Sequence, residues 1–243
     1  MNNIQTPRAA GIKKYSHLFF DLDHTLWDFD TNAKETIEEV FDIFEIKQLT
    51  PVPFTEFYKL YAHHNKILWD RYHKGFINSD DLKWKRMWRT LLDCGIGDET
   101  LAKSMSIKFL EILPTKKLLF DYTIEILEYL KERKYSMHLI TNGFEKTQWS
   151  KLNNSSLAKY FTHVITSEGS SAVKPAKEIF EYAINKAEAR LEESIMIGDN
   201  PEADIQGAIN AGMDNIFVNH MKSTTDITAT FTIYHLKELE NIL

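Results

Sequence analysis

Two aspartates stand two residues apart just after an apolar run near the beginning of the chain. The run is Leu18–Phe20, Asp21 and Asp23 follow it, and Thr25 lies two residues further on. Such a run is typical of a buried strand in a parallel sheet, and residues i and i+2 of a strand point to the same side. Two carboxylates so close together repel each other unless a cation or a shared proton lies between them. The pair therefore indicates a divalent-metal site at a strand end, although a surface β-turn with an aspartate capping the next helix has the same spacing.

The composition narrows the class of protein. The chain has 243 residues, of which 43% are hydrophobic and 26% charged, so it can form one large or two modest domains with a core. A net charge of −6 argues against binding to a nucleic-acid polymer but leaves small phosphates open. Cys94 is the single cysteine, residues 1–15 lack the apolar core of a signal peptide, and no apolar stretch is long enough to span a membrane. We therefore expect a cytoplasmic protein that does not act at a membrane.

The elements that would position these aspartates begin with a helical stretch. Between residues 28 and 112 the sequence predicts helices and no strand, and Thr31 or Asn32 is expected to cap the first helix. Aromatic helix-like segments follow it, and they are Phe54–Tyr72, Leu82–Cys94 and Leu101–Leu110. We therefore expect residues 28–112 to form an inserted helical domain.

Helices and strands alternate from residue 122 onward. The predicted strands are Ser136–Thr141, His163–Thr166, Ser194–Ile197 and Asn215–Val218, and the predicted helices are Tyr122–Arg133, Phe144–Asn153, Pro175–Ala189 and Glu202–Ala211. Repeated βα units imply an α/β fold with a Rossmann-like parallel sheet and helices on both faces. Ligands of such sheets bind beyond the carboxyl ends of the strands. The residues that follow the strands are therefore the candidate site.

Three further groups of polar residues lie at or near these strand ends. Thr141 and Asn142 end one strand at a helix entrance, where anions are favoured, Asp199 and Asp204 follow another strand, and Lys174 precedes a helix. Each group alone has an ordinary explanation. Thr141 and Asn142 could cap a helix, Asp199 could lie in a turn and Asp204 on a helix surface, and Lys174 could be a solvated lysine. Their occurrence in one order at one predicted edge favours a joint function.

Taken with Asp21–Thr25, these groups resemble the four motifs of the haloacid dehalogenase (HAD) superfamily of aspartate-nucleophile hydrolases. The resemblance covers a core domain of residues 1–27 and 113–243, and the helical insertion lies where this superfamily carries its C1 cap. Dehalogenases of the superfamily typically lack the second aspartate of the first motif, so Asp23 argues for phosphate chemistry. The resemblance thus implies a phosphomonoester hydrolase.

The resemblance also implies how the carboxylates would act. Asp21 would be the nucleophile, since a carboxylate can form an acyl phosphate that splits phosphoryl transfer into two easier steps. Asp23 would protonate the leaving alcohol and then deprotonate the attacking water. Magnesium, a hard cation that takes oxygen ligands, would be bound by the carboxylates of Asp21 and Asp199 and by the backbone carbonyl of Asp23.

The remaining motif residues would support this chemistry. By the same resemblance, Thr141, the backbone of Asn142 and Lys174 would hold the phosphoryl oxygens, where catalysis is largely positioning and electrostatics. Asp204 would orient the groups that bind the metal, and Thr25 would brace the loop that follows the first strand.

Finer similarities concern the substrate. The segments Phe19–Leu26, Ile140–Phe144 and Tyr72–Ile77 resemble the YjjG-like pyrimidine 5'-nucleotidases, which implies a nucleoside monophosphate as substrate. Its base could stack on Trp69 or Tyr72 of the cap, although burial between cap helices would explain these aromatic residues equally well. A sugar-phosphate phosphatase, a phosphomutase and a non-catalytic HAD-fold binding protein remain the alternatives.

Overall fold

The computed structural model describes residues 14–243, so most of the segment on which the signal-peptide argument rests, residues 1–13, lies outside it. The described chain forms two compact units. The first contains the residues up to Trp27 with Leu119–Glu145 and Leu157–Leu243, and the second contains Asp28–Leu118 and Lys146–Ser156. No helix within residues 14–243 is both long and apolar enough to cross a membrane.

The first unit contains a six-stranded, all-parallel sheet. Its strands are β1 His17–Phe20, β2 Ser136–Thr141, β3 His163–Thr166, β4 Ser194–Gly198, β5 Asp214–Val218 and β6 Phe231–Ile233. They lie in the order β3-β2-β1-β4-β5-β6, with β1 in the middle. Phe20, the last residue of β1, lies opposite Leu139 of β2 and Ile197 of β4. The predicted α/β class is confirmed, and β6 is an additional strand of three residues that the sequence pattern did not indicate.

Helices connect these strands. In chain order they are α1 Phe29–Ile43, α2 Ile46–Leu49, α3 Phe54–His73, α4 Ser79–Asp93, α5 Glu99–Ile112, α6 Thr123–Glu132, α7 Glu145–Asn154, α8 Ser167–Ser170, α9 Lys177–Lys186 and α10 Gly207–Ala211. The second unit contains α1 to α5 and all of α7 except Glu145. The long helices predicted within residues 28–112 are therefore present, with bounds that differ by a few residues.

Both faces of the sheet are buried. Phe19, Ile140 and Met196 belong to one apolar cluster with Phe180 of α9. Leu18 points to the opposite face, because side chains alternate along a strand, and it is also fully buried. A parallel sheet with two covered faces reads as a continuous apolar run, which is why the strands could be predicted.

The cap of the first helix differs from the prediction. Asp28, rather than Thr31 or Asn32, is the N-cap of α1, and its side chain accepts a hydrogen bond from the Thr31 amide at 3.1 Å. The Asn32 side chain donates instead to the carbonyls of Asp28 and Leu118 at 2.8 and 2.9 Å. Asp28, Thr31 and Asn32 are all suitable capping residues. Because the Asn32 side chain is used to bind the Leu118 carbonyl, Asp28 is the residue that caps the helix.

Candidate active site

Asp21 lies directly beyond the central strand. Its backbone amide donates to the Ile197 carbonyl at 2.9 Å, which extends the pairing of β1 with β4 by one bond, and the residue is 8% exposed. A tight turn follows, in which the His24 amide donates to the Trp27 carbonyl at 2.9 Å. His24 has a φ of 63°, in the left-handed region. This turn carries Asp23, which is only partly buried.

Lys174 reaches the Asp21 carboxylate. Its Nζ donates to Oδ1 of Asp21 at 2.6 Å, to Oδ1 of Asp204 at 2.6 Å and to the Ile140 carbonyl at 2.8 Å. An ammonium has three hydrogens, and all three are therefore directed at protein oxygens. The side chain is 2% exposed, so Lys174 is not the solvated lysine that its sequence position alone suggested. Burial opposes the charge, but the carboxylates of Asp204 and Asp21 outweigh it and raise the lysine pKa.

Asn142 clamps the backbone of this lysine. Its side-chain Oδ1 accepts from the Lys174 amide at 2.8 Å, and its Nδ2 donates to the Lys174 carbonyl at 2.9 Å. The backbone carbonyl of Asn142 in turn accepts from the Ser167 hydroxyl at 3.3 Å. By resemblance only the backbone of Asn142 was expected to have a role, and the structure adds that its side chain positions Lys174.

Asp204 is presented by an unusual helical turn. Residues Pro201–Gln206 form a π-helix before α10, whereas the sequence predicted one regular helix over Glu202–Ala211. The amides of Asp204 and Ile205 both donate to the Asn200 carbonyl, at 2.9 and 3.3 Å, and the Asn200 amide donates to Oδ2 of Asp204 at 2.9 Å. Single π turns often occur at functional sites.

Gly198 makes room for this arrangement. A Cβ atom at this position would overlap the carboxyl group of Asp204, so no other residue could end β4 here without displacing that carboxylate. The glycine that precedes Asp199 is therefore explained by close packing, since its φ does not lie in the left-handed region.

Asp199 is held from the other side of the site by Thr25. The Thr25 hydroxyl donates to Oδ1 of Asp199 at 2.9 Å, and Thr25 is fully buried. The expected bracing by Thr25 thus has a specific partner in the structure. Burial and the nearby carboxylate of Asp204 raise the pKa of Asp199 to about 8, while the hydrogen bond from Thr25 opposes this rise.

The pKa of Asp21 is also raised well above its usual range. Burial is the main cause, Lys174 opposes it, and the carboxylates of Asp204 and Asp199 add to it. One buried ammonium thus lies among three carboxylates, which leaves an excess of negative charge when all are ionised. A site of this kind favours a further cation.

The donor atoms fit a hard divalent cation. Carboxylate oxygens of Asp21, Asp199 and Asp204 all lie within 4.8 Å of one another, the single such group of possible metal ligands among residues 14–243. Both oxygens of Asp204 already accept hydrogen bonds, from Lys174 and from the Asn200 amide. The bonds to Asp21 and Asp199 each involve Oδ1. The carboxylate of Asp23 is not part of this group, and metal binding by its backbone carbonyl stays a prediction.

Thr141 lies at the same edge, at the end of β2. Its hydroxyl accepts a hydrogen bond from the Gly143 amide at 3.1 Å, and the residue is 2% exposed. The structure thus brings Thr141 and Asn142 to the strand end predicted for them. Their binding of phosphate stays a prediction.

The two aromatic residues predicted to contact substrate lie on α3 in the second unit. The rings of Trp69 and Tyr72 pack edge to face with centroids 5.7 Å apart, and His73 adjoins both. Both side chains are partly exposed, and whether they contact a substrate or only pack within this unit stays a prediction.

Comparisons with known proteins give a family and several relatives. A family model for haloacid dehalogenase-like hydrolases matches residues 15–212. The chain is 30% identical over 236 residues to the pyrimidine 5'-nucleotidase YjjG of Escherichia coli, with 95% of this chain and 98% of that protein covered. It is also 30% identical over 239 residues to a glyceraldehyde 3-phosphate phosphatase of Methanothermobacter thermautotrophicus, with 91% of this chain and 98% of that protein covered.

Solved structures agree with these relatives. A magnesium-bound crystal structure of the HAD-hydrolase YfnB of Bacillus subtilis matches with a TM-score of 0.86 and 27% identity, and the match covers 95% of this chain and 99% of that chain. Together with the family match, this confirms the resemblance that the motifs predicted.

Proposed function

We propose that this chain, which belongs to the haloacid dehalogenase-like hydrolase family, hydrolyses phosphate monoesters with magnesium through an aspartyl phosphate formed on Asp21. The observation that carries the proposal is the buried cluster at the end of β1. In it, Asp21 is bound by Lys174 at 2.6 Å, and its carboxylate lies with those of Asp199 and Asp204 in one group whose oxygens are within 4.8 Å of one another.

The residues around Asp21 prepare it as a nucleophile. Lys174 holds Oδ1, which fixes the carboxylate and leaves Oδ2 to attack phosphorus. Magnesium would be held by the carboxylates of Asp21 and Asp199 and by the backbone carbonyl of Asp23. Its positive charge would favour the ionised forms of the two carboxyl groups, whose pKa values are otherwise raised, and would also balance the charge of the phosphoryl group. Asp204 keeps Lys174 and the turn after β4 in place.

Asp23 is proposed as the acid and base. It leaves β1 two residues after Asp21 and is partly exposed, so it can meet a leaving alcohol and afterwards an attacking water. Thr141 and the Asn142 amide are proposed to bind the phosphoryl oxygens at the end of β2. Since the three hydrogens of Lys174 already bind protein oxygens, its main role is to orient Asp21, and a contact with phosphate would replace one of these bonds.

We further propose a nucleoside monophosphate as the substrate. This rests on the likeness to YjjG and on the partly exposed pair Trp69 and Tyr72, on which a base could stack for about 1–3 kcal/mol. The phosphatase from Methanothermobacter is as similar in sequence. A sugar phosphate is therefore the second candidate.

A substrate panel tests both levels of the proposal. Release of phosphate from an aryl phosphate should require magnesium and stop on chelation, whereas a phosphomutase or a non-catalytic binding protein would release none. Pyrimidine monophosphates should then give the highest kcat/KM among nucleotides and sugar phosphates. If a sugar phosphate is preferred, the nucleotidase assignment fails and the phosphatase assignment stands.

A further inference from the structure

A histidine from the loop after β5 contacts the turn after β1. Nε2 of His220 lies 3.1 Å from the backbone carbonyl oxygen of Thr25. Because a carbonyl can only accept a hydrogen bond, Nε2 must carry a proton. The imidazole ring also stacks on Phe120, with ring centroids 4.0 Å apart and an angle of 10° between the planes. His220 is thus fixed by two kinds of contact, and no motif in the sequence indicated it.

The loop that carries His220 is itself anchored. The Asn219 amide donates to the Ile233 carbonyl of β6 at 2.7 Å, and Oδ1 of Asn219 accepts from the Ser223 amide at 2.8 Å. The first bond ties the start of the loop to β6, and the second closes the loop by joining Ser223 to Asn219. His220 therefore extends from a rigid support toward Thr25.

Thr25 joins this histidine to the reacting groups. Its hydroxyl binds Asp199 at 2.9 Å, while its carbonyl accepts from His220, so the residue is held at two points. Asp23 precedes Thr25 by two residues in the same turn. Since the His24 amide closes this turn on the Trp27 carbonyl, a displacement of the Thr25 peptide should shift the turn that carries Asp23.

We propose that His220 is a positioning residue, whose N–H holds the turn that presents Asp23 to the leaving oxygen. This inference rests on the proposed phosphatase function. A general acid contributes most when the leaving group is a poor one that must be protonated, and it contributes little when a stable phenolate departs. Loss of the His220 hydrogen bond should therefore be felt selectively with alkyl phosphates.

Two variants separate the hydrogen bond from the ring. His220→Phe keeps an aromatic ring against Phe120 but removes the donor, whereas His220→Gln keeps an N–H donor at a similar distance from the backbone and removes the ring. Each is compared with the wild type by kcat/KM for glycerol 2-phosphate and for p-nitrophenyl phosphate, in magnesium. Thermal unfolding followed by circular dichroism verifies that each variant is folded.

The ratio of the two kcat/KM values is the diagnostic quantity, because a smaller folded fraction lowers both values equally. For His220→Phe we expect the alkyl phosphate to lose about tenfold more than the aryl phosphate, since small displacements of a catalytic group cost one to two orders of magnitude. For His220→Gln we expect a ratio within about threefold of the wild type. Equal losses on both substrates in His220→Phe, or the same change of ratio in both variants, would overturn the inference.

The outcomes also separate a failure of the positioning role of His220 from a failure of the proposed phosphatase function. A wild-type protein that hydrolyses neither substrate refutes the proposed function. Wild-type turnover with an unchanged ratio in His220→Phe refutes the positioning role alone. Should His220→Phe not fold, His220→Leu removes the same donor and is judged by the same ratio.

Discussion

Removal of the Lys174 charge is expected to destabilise the fold strongly, because two buried carboxylates depend on it. Lys174→Met preserves most of the chain length but leaves Asp21 and Asp204 without the donor that lies 2.6 Å from each. Breaking a buried ion pair by removing one partner costs about 3–5 kcal/mol. Loss of the bond to the Ile140 carbonyl adds about 1 kcal/mol. We therefore expect the free energy of unfolding to fall by about 4–6 kcal/mol near neutral pH.

This loss should depend on pH in a defined direction. Burial already raises the pKa of Asp21 with Lys174 in place, and removal of the ammonium would raise the folded-state pKa further. A carboxyl group whose pKa is higher in the folded state binds its proton there first, so the destabilisation is present at high pH and is relieved as the pH falls through that folded pKa. The difference between wild type and variant should therefore be smaller at about pH 5 than at about pH 8.

Urea unfolding followed by circular dichroism, in the presence of a chelator, measures both effects. Lys177→Met is the matched control, because Lys177 is 56% exposed and its pairing with Glu181 is a surface contact worth about 0–1 kcal/mol. Adding Asp204→Asn to Lys174→Met removes one uncompensated charge and should recover part of the lost stability. A Lys174→Met protein with the wild-type urea midpoint, or with a loss that is the same at both pH values, would refute this reasoning.

Four further predictions concern the nucleophile, the metal, the sheet and the cap. Asp21→Asn should abolish phosphate release in a protein that stays folded, since the amide has nearly the same shape and keeps an oxygen acceptor for Lys174 but cannot attack phosphorus; turnover by a purified variant would contradict this. Asp199→Ala should raise the magnesium concentration needed for half-maximal activity far more than Asp204→Ala, and equal magnesium titrations would exchange their assigned roles. Burial lowers the pKa of His138 to about 3, so the fold should lose stability as the pH falls below the unfolded value of about 6.5. His138→Phe should remove up to about 2 kcal/mol of this loss between about pH 6.5 and 5, and an unchanged difference in urea midpoints would exclude the histidine as its source. Trp69→Ala should lower kcat/KM for a pyrimidine monophosphate by about tenfold and spare acetyl phosphate, whereas equal losses would make Trp69 a structural residue.

The sheet could be predicted because its strands are buried on both faces. The run Ile195–Ile197 contains no polar residue, and all three residues are buried, so the sequence alone indicates a buried strand. The strand Phe231–Ile233 is only three residues long, with an exposed threonine in the middle, and it gives no such signal. The π-helical turn over Pro201–Gln206 was equally hidden, because it depends on one carbonyl accepting from two amides rather than on helix propensity.

The hydrogen-bond partners of the site residues could not be predicted from local sequence patterns either. Lys174 binds a carboxylate 153 positions away, and Thr25 binds Asp199 174 positions away, so neither bond leaves a periodic trace in the sequence. The segment before Lys174, in contrast, is held by local hydrogen bonds. There, Ser170 donates its hydroxyl to the Thr166 carbonyl at 2.8 Å and accepts from the Ala172 amide at 3.4 Å. The chemical groups of the site therefore follow from residue types, whereas the placement of Lys174 and Asp199 follows from hydrogen bonds that only the fold brings together.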